Sequence, residues 1–184
     1  MLKPHYPITT GRLHLRPLTP DDLDAVHAYE SRPDVTRYLY WDPRDRDTTA
    51  AFLDKKTART ALLDEGDALD LAITLRTTGQ LIGNCLLIWT SKQHRQGEIG
   101  YVLHPDHHGH GYAPEAARAL LHLGFADLGL HRITGRLDTR NTASARVLAK
   151  IGMRHEATLI DNEIVKGEWT SETIYAMLEH EWTP

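Results

Sequence analysis

Cysteine is nearly absent: Cys85 stands alone among 184 residues, so no disulfide can form within the chain and no paired-cysteine motif is available to a metal. Its expected place is a buried strand, in a reducing compartment. Long apolar runs are missing as well. None approaches the roughly 20 residues that a bilayer-spanning helix requires. The opening stretch, MLKPHYPITTGRLHL, lacks the apolar segment and small-residue cleavage site of a secretory signal. A cytoplasmic chain with no membrane partner is the expectation. Charge of one sign is not in excess either, because the formal net charge is -4 and the basic residues are scattered rather than striped. Nucleic acid is therefore a poor partner. Repeats and linkers are lacking too, and a hydrophobic share of 41% beside a charged share of 25% is ordinary for a globular chain. One domain over residues 1–184 is expected.

What is present divides by period. RLHLRPL, from Arg12 to Leu18, alternates leucine with polar residues and predicts a strand with one buried face. Thr19, Pro20, Asp21 and Asp22 then supply a cap, a first-turn proline and negative charge for a helix to about Glu30. A short helical piece follows Asp34, YLYWDP reads as a loop, and a further helix starts at Asp47 or Thr48 and reaches about Leu63. Beyond it the period changes to two. Leu69–Leu75 and Leu81–Trp89, joined by Thr77, Thr78, Gly79 and Gln80, read as a hairpin, and Glu98–Leu103 completes an antiparallel meander.

Ala116, Ala117, Leu120, Leu121 and Gly124 share one face of a helix running to Leu128. A strand at Arg132–Leu137, a helix at Asn141–Ile151 and a two-stranded tail between Met153 and Leu178 finish the chain. This order predicts an α/β (mixed α+β) fold: a mostly antiparallel mixed sheet flanked by helices.

The most informative segment is HGHGYA, His108 to Ala113, between a strand and a helix whose first turn holds Pro114 and Glu115. Glycines let a backbone approach a ligand closely, and the free amides of a helix N-terminus attract an anion such as a pyrophosphate. A phosphate-binding P-loop is excluded, because Tyr112 and Ala113 stand where it needs lysine and then serine or threonine. A dinucleotide fold needs a third glycine where Pro114 stands, and an early parallel strand before the turn. A plain strand-to-helix turn needs only one glycine.

The segment resembles the acetyl-CoA loop of the GCN5-related N-acetyltransferase superfamily, in which Gln or Arg, two residues, Gly, one residue, and Gly or Ala follow in order. That register falls on His108, Gly111 and Ala113, with His108 departing from the pattern. GEIGYVLHP before the loop, GYAPEA after it, RNTASARVLAKIGM and GEWTSETIYAMLEHEW extend the resemblance over nearly the whole chain. They point to the branch of ribosomal-protein N-terminal acetyltransferases. Ser171 stands where that branch commonly has aspartate.

The resemblance implies an acetyl-CoA cleft and direct attack by a primary amine in a ternary complex, with no metal and no covalent enzyme intermediate. It assigns the main chain of Gly109, His110, Gly111, Tyr112 and Ala113, with His108, to the pyrophosphate. It assigns the backbone of Val102 and Leu103, with Asn141, to the pantetheine arm. Ser144 falls beside the CoA sulfur and is the candidate acid. The tyrosine many relatives use for that step is absent, because Ala149 stands in its place. Glu98 is the candidate base, acting directly or through water; an ordinary strand-end charge is the alternative. Asn141 also suits a helix N-cap, and Ser144 a hydroxyl bonded to its own first turn.

Lys150 is within the reach of a CoA phosphate or is a plain solvated lysine. His104, His107, His108 and His110 invite a metal reading, but they lie on a turn without the same-face spacing of a helical zinc motif. Tyr38, Tyr40, Trp41, Trp89 and Trp169 are candidates for an acceptor pocket or for core. The acceptor is expected to be a protein N-terminal α-amine. A small amine such as an antibiotic or polyamine, and a donor such as succinyl-CoA, are the alternatives. A CoA-sensing or partner-binding module without turnover is the rival of another class, and a nicotinamide oxidoreductase is opposed by Pro114. Family members often form homodimers, but no interface is legible here.

Overall fold

The computed structural model describes residues 1–183. The elements in chain order are β1 (Ile8–Thr9), β2 (Leu13–Pro17), α1 (Leu23–Glu30), α2 (Pro33–Thr36), α3 (Arg46–Thr57), β3 (Ala68–Leu75), β4 (Leu81–Ser91) and β5 (Gln96–Leu103). They continue with α4 (Tyr112–His122), β6 (Arg132–Asp138), α5 (Thr142–Lys150), β7 (Arg154–Val165) and β8 (Glu168–Leu178). All eight strands join one sheet in the order β1-β2-β3-β4-β5-β6-β8-β7.

Alternation along the strands sorts side chains to two faces. Leu69, Leu71 and Ile73 of β3, with Ile99 and Leu103 of β5, enter the main core beneath Ala116, Ala117, Leu120 and Leu121 of α4 and Leu148 of α5. Ala72 and the partly buried Val102 turn the other way, toward Val26 and Tyr29 of α1 and Leu53 of α3. The sheet is thus covered on both faces. Gly135 of β6 lets α5 settle closely, for a Cβ there would stand 2.8 Å from a Leu148 methyl.

Pairing is antiparallel everywhere except between β5 and β6. That parallel contact is short, covering only Gln96↔Arg132, Gly97↔Ile133 and Glu98↔Thr134. Past Glu98 the two strands separate. β5 stays paired to β4 as far as Leu103 and β6 stays paired to β8 as far as Asp138, so a wedge-shaped gap opens in mid-sheet.

The mixed sheet and its meander follow the sequence expectation, with three local differences. The third helix begins after an Asp45 cap, whose side chain accepts from the Thr48 amide at 2.7 Å, and it ends at Thr57 rather than Leu63. Leu62 is withdrawn from it to exchange backbone hydrogen bonds with Leu2, at 2.7 and 2.9 Å. The helix expected to reach Leu128 is α-helical only to His122 and continues as a wider π turn, Leu123–Asp127. There Gly124 meets the Ile133 side chain, where an added Cβ would stand 2.4 Å from its δ-methyl.

Candidate active site

The chain leaves β5 at Leu103, makes a single 3-10 turn over Pro105–His107, and enters α4 through Gly109 and Gly111. Both glycines sit in the left-handed region, at φ 80° and 79°, which L-residues adopt at a cost of about 1–2 kcal/mol. The His108 amide is used internally, donating to the Pro105 carbonyl at 3.0 Å. The next five amides, from Gly109 to Ala113, donate to no described residue. Pro114 has no amide to offer and that of Glu115 closes the first turn on Gly111. An uninterrupted row of free donors therefore stands at the positive end of α4.

The His108 ring folds back instead, with Nε2 3.1 Å from the Leu103 carbonyl. Pairing phase decides which backbone groups of β5 face the gap. His104 donates to Ile82 of β4 at 2.8 Å, so by alternation Val102 also turns its amide and carbonyl to β4, while Tyr101 and Leu103 turn theirs to the gap. Of Val102 and Leu103, only Leu103 has its main-chain groups on the gap side, and its carbonyl is already engaged by the His108 ring. Tyr101 is the second residue turned to that side.

Across the gap, Asn141 caps α5, its Oδ1 accepting from the Ser144 amide at 3.1 Å. Ser144 Oγ lies 3.0 Å from the Tyr101 hydroxyl, which also donates to the Ser144 carbonyl at 3.2 Å. Burial pushes the Tyr101 phenol up to about 12, against the opposing effect of its bond to Ser144. Tyr101 thus spans from β5 to α5 beneath the opening. Sequence reasoning missed it, because a tyrosine among alternating apolar residues looks like core and its partner is remote in the chain.

Glu98 sits where the wedge closes, on the opposite face of the sheet from Tyr101. Its carboxyl makes no hydrogen bond to a described residue. Burial raises its pKa, Arg136 lowers it, and Glu172 raises it again. Arg136 holds Glu172 through two bonds, at 2.8 and 2.5 Å, so its charge is largely committed there. The buried Glu172 also accepts from Asn162 at 3.2 Å. Nearby, the Tyr40 hydroxyl donates to Glu163 at 3.0 Å. This carboxylate-rich face, with Glu98 as its unbonded member, lies on the other side of the sheet from Tyr101 and Ser144, next to the last β5–β6 pair, Glu98↔Thr134.

The remaining candidates divide. Trp89 is buried in the main core, 7% exposed, and lines no acceptor site. Trp41 donates to the buried Glu30 at 2.6 Å and packs under Arg44. Trp169 stays exposed on β8. Cys85 is buried and its thiol is pushed up by that burial. Among the described residues no three His, Cys, Asp or Glu side chains are arranged to hold a metal ion. No helix among them is long and apolar enough to cross a membrane. Along the outer flank of α4 a cavity of about 770 Å³ runs from His110 and Gly111 past Arg118 to Lys150.

A sheet that parts after three parallel rungs, with free amides at one side of the opening and a buried carboxyl at its apex, is the architecture of an acyltransferase. The family model described as "Acetyltransferase (GNAT) domain" matches residues 12–154, and the chain belongs to that family of N-acetyltransferases, which use acetyl-CoA. Uncharacterized N-acetyltransferase YnaD of Bacillus subtilis is 37% identical over 177 residues, spanning 95% of this chain and 98% of that protein. A GNAT-family acetyltransferase from Bacillus anthracis superposes with a TM-score of 0.84 at 33% identity, over 94% of this chain and 98% of that one. Spermidine N-acetyltransferase from Vibrio cholerae, in complex with CoA and spermine, shares the fold at a TM-score of 0.77 and 21% identity, over 94% of this chain and 98% of that one.

Proposed function

We propose that this chain acetylates the α-amine of a protein N-terminus, the acceptor of the branch that its motifs resemble, with acetyl-CoA as donor and by direct attack in a ternary complex. The observation that carries the nucleotide half of this reading is the row of free amides from Gly109 to Ala113 opening beside the β5–β6 gap. Five aligned donors at a helix head suit a diphosphate. The Leu103 and Tyr101 backbones then face a pantetheine arm, with Asn141 opposite. Acetyl-CoA brings the electrophilic thioester carbonyl, and the chain supplies position and protons. Ser144, backed by the Tyr101 hydroxyl, holds a proton where the thiolate departs, and Glu98 takes one from the amine.

An α-amine of pKa about 7.7–8.0 is about a tenth neutral at neutral pH, whereas a lysine near 10.4 is not, so a single half-buried carboxyl is an adequate base for the former. A second reading, a small polycationic amine, is favoured by the Glu98, Glu172 and Glu163 face. It also agrees with the spermidine N(1)-acetyltransferase of Escherichia coli, 23% identical over 91% of this chain and 87% of that protein.

Mass spectrometry after incubation with acetyl-CoA and a panel of N-terminal peptides, polyamines and aminoglycosides tests both. Peptide products carrying the acetyl group on the α-amine are expected. Products confined to polyamines would transfer the assignment to the second reading, and CoA binding without turnover on any amine would leave a sensing module.

A further inference from the structure

The glycine turn is held by a residue nearly a hundred positions earlier in the chain. Arg12, just before β2, donates from Nη1 to the His110 carbonyl at 2.8 Å and from Nε to Glu115 at 2.7 Å, while its backbone amide donates to Glu115 at 2.6 Å. Its guanidinium lies 4.8 Å from the Tyr112 ring centroid, and that ring is stacked on His110 at 5.6 Å with 15° between planes. Nη2 lies 3.4 Å from where a Cβ on Gly111 would stand and bonds to no described residue. Thr10 adds a further bond to Glu115 at 2.6 Å. Burial alone would raise the Glu115 pKa, but the bonds from Thr10 and Arg12 outweigh it and hold the carboxyl below its usual value.

An ionised Glu115 is awkward where it stands. It lies four residues past Gly111, about 6 Å along the helix axis, well inside the screening length of about 10 Å at ordinary salt. Left alone, it opposes any anion at the amide row. His108, where the family pattern has Gln or Arg, points back to Leu103 and adds no fixed positive charge to the turn.

We propose that Arg12 is a positioning residue for the nucleotide loop: it keeps the His110 carbonyl turned away from the ligand and cancels Glu115, so that the amide row meets a diphosphate unopposed. This rests on the reading of that row as the diphosphate seat. The role is specific to the charged part of the donor, and that separates it from general scaffolding.

The test is titration calorimetry of acetyl-CoA on the full chain as wild type, Arg12→Ala, Arg12→Lys and Arg12→Ala with Glu115→Gln. It runs beside kcat/KM for S-acetyl-pantetheine, which has no diphosphate. Arg12→Ala is expected to weaken acetyl-CoA binding about tenfold, the scale of one charge-assisted contact, with S-acetyl-pantetheine turnover unchanged. Adding Glu115→Gln restores part of the loss, because the uncovered charge is then gone. Arg12→Lys, which keeps the charge but not the fork, gives a smaller loss in the same direction and serves if the alanine variant does not fold. Unchanged acetyl-CoA affinity, or equal losses with both donors, overturns the role of Arg12. A wild type that binds no acetyl-CoA overturns the diphosphate seat itself, a distinct result.

Discussion

Glu98 and Tyr101 lie on the same strand and face opposite sides of the sheet, and each gives a prediction of its own. Because burial lifts the Glu98 pKa, the folded chain favours its neutral form. That contribution to stability is complete at low pH and is lost as pH rises through the folded value. Glu98→Gln is therefore expected to be at least as heat-stable as the wild type at neutral pH, while kcat falls by roughly 100-fold, the lower range for a general base. Thermal melts and steady-state rates measure the two together; a variant that melts early would mark Glu98 as a structural charge. In the wild type, the acid limb of kcat/KM is expected above the ordinary carboxylate value of about 4.3, and its disappearance in Glu98→Gln identifies the group. Tyr101→Phe removes the hydroxyl 3.0 Å from Ser144 Oγ. It is expected to lower kcat on the order of tenfold with little change in KM for acetyl-CoA, the signature of an interaction made late in the reaction. A rise in KM alone would make the pair a binding feature only.

At the scale of elements, α5 carries Ser144 and is capped by Asn141, and its seat on β6 is fixed by a missing side chain. A Cβ at Gly135 would stand 2.8 and 2.9 Å from the two Leu148 methyls. Gly135→Ala is expected to cost about 1–3 kcal/mol, as overpacking does, and to lower activity further by lifting Ser144 away from Tyr101. Denaturant unfolding and kcat measured on the folded fraction separate the two effects. Most elements were legible from period alone: leucines at every second position of β2, apolar residues at every third or fourth of α4. The early end of α3 was not, because Leu62 is drawn off by a pairing with Leu2 that no local pattern announces. The π turn after α4 was equally hidden, since helices of either width place apolar residues on one face. In the loop, the glycines and the helix start announced the donor row. Arg12 did not announce itself, for its distance from Glu115 along the chain carries no periodic trace.

For the whole molecule, the order of elements was enough to predict a mixed sheet with helices on its faces. The point at which two strands part was not, because β5 and β6 remain apolar and alternating beyond the place where they stop touching. That parting leaves the protein as two blocks, β1 to β5 and β6 to β8, zipped at their common border by the three residue pairs from Gln96 to Thr134 and bridged above by α4 and α5. On the proposed function, a donor molecule would lie between them in place of further rungs. Acetyl-CoA is thus expected to slow deuterium uptake on both banks, at Tyr101 to Leu103 and at Gly135 to Asp138, by joining strands that the polypeptide leaves apart. Protection confined to the glycine turn would mean that the nucleotide is held by its phosphates alone. The acyl group would then lie free of the two strands, and its aim would have to come from elsewhere in the site.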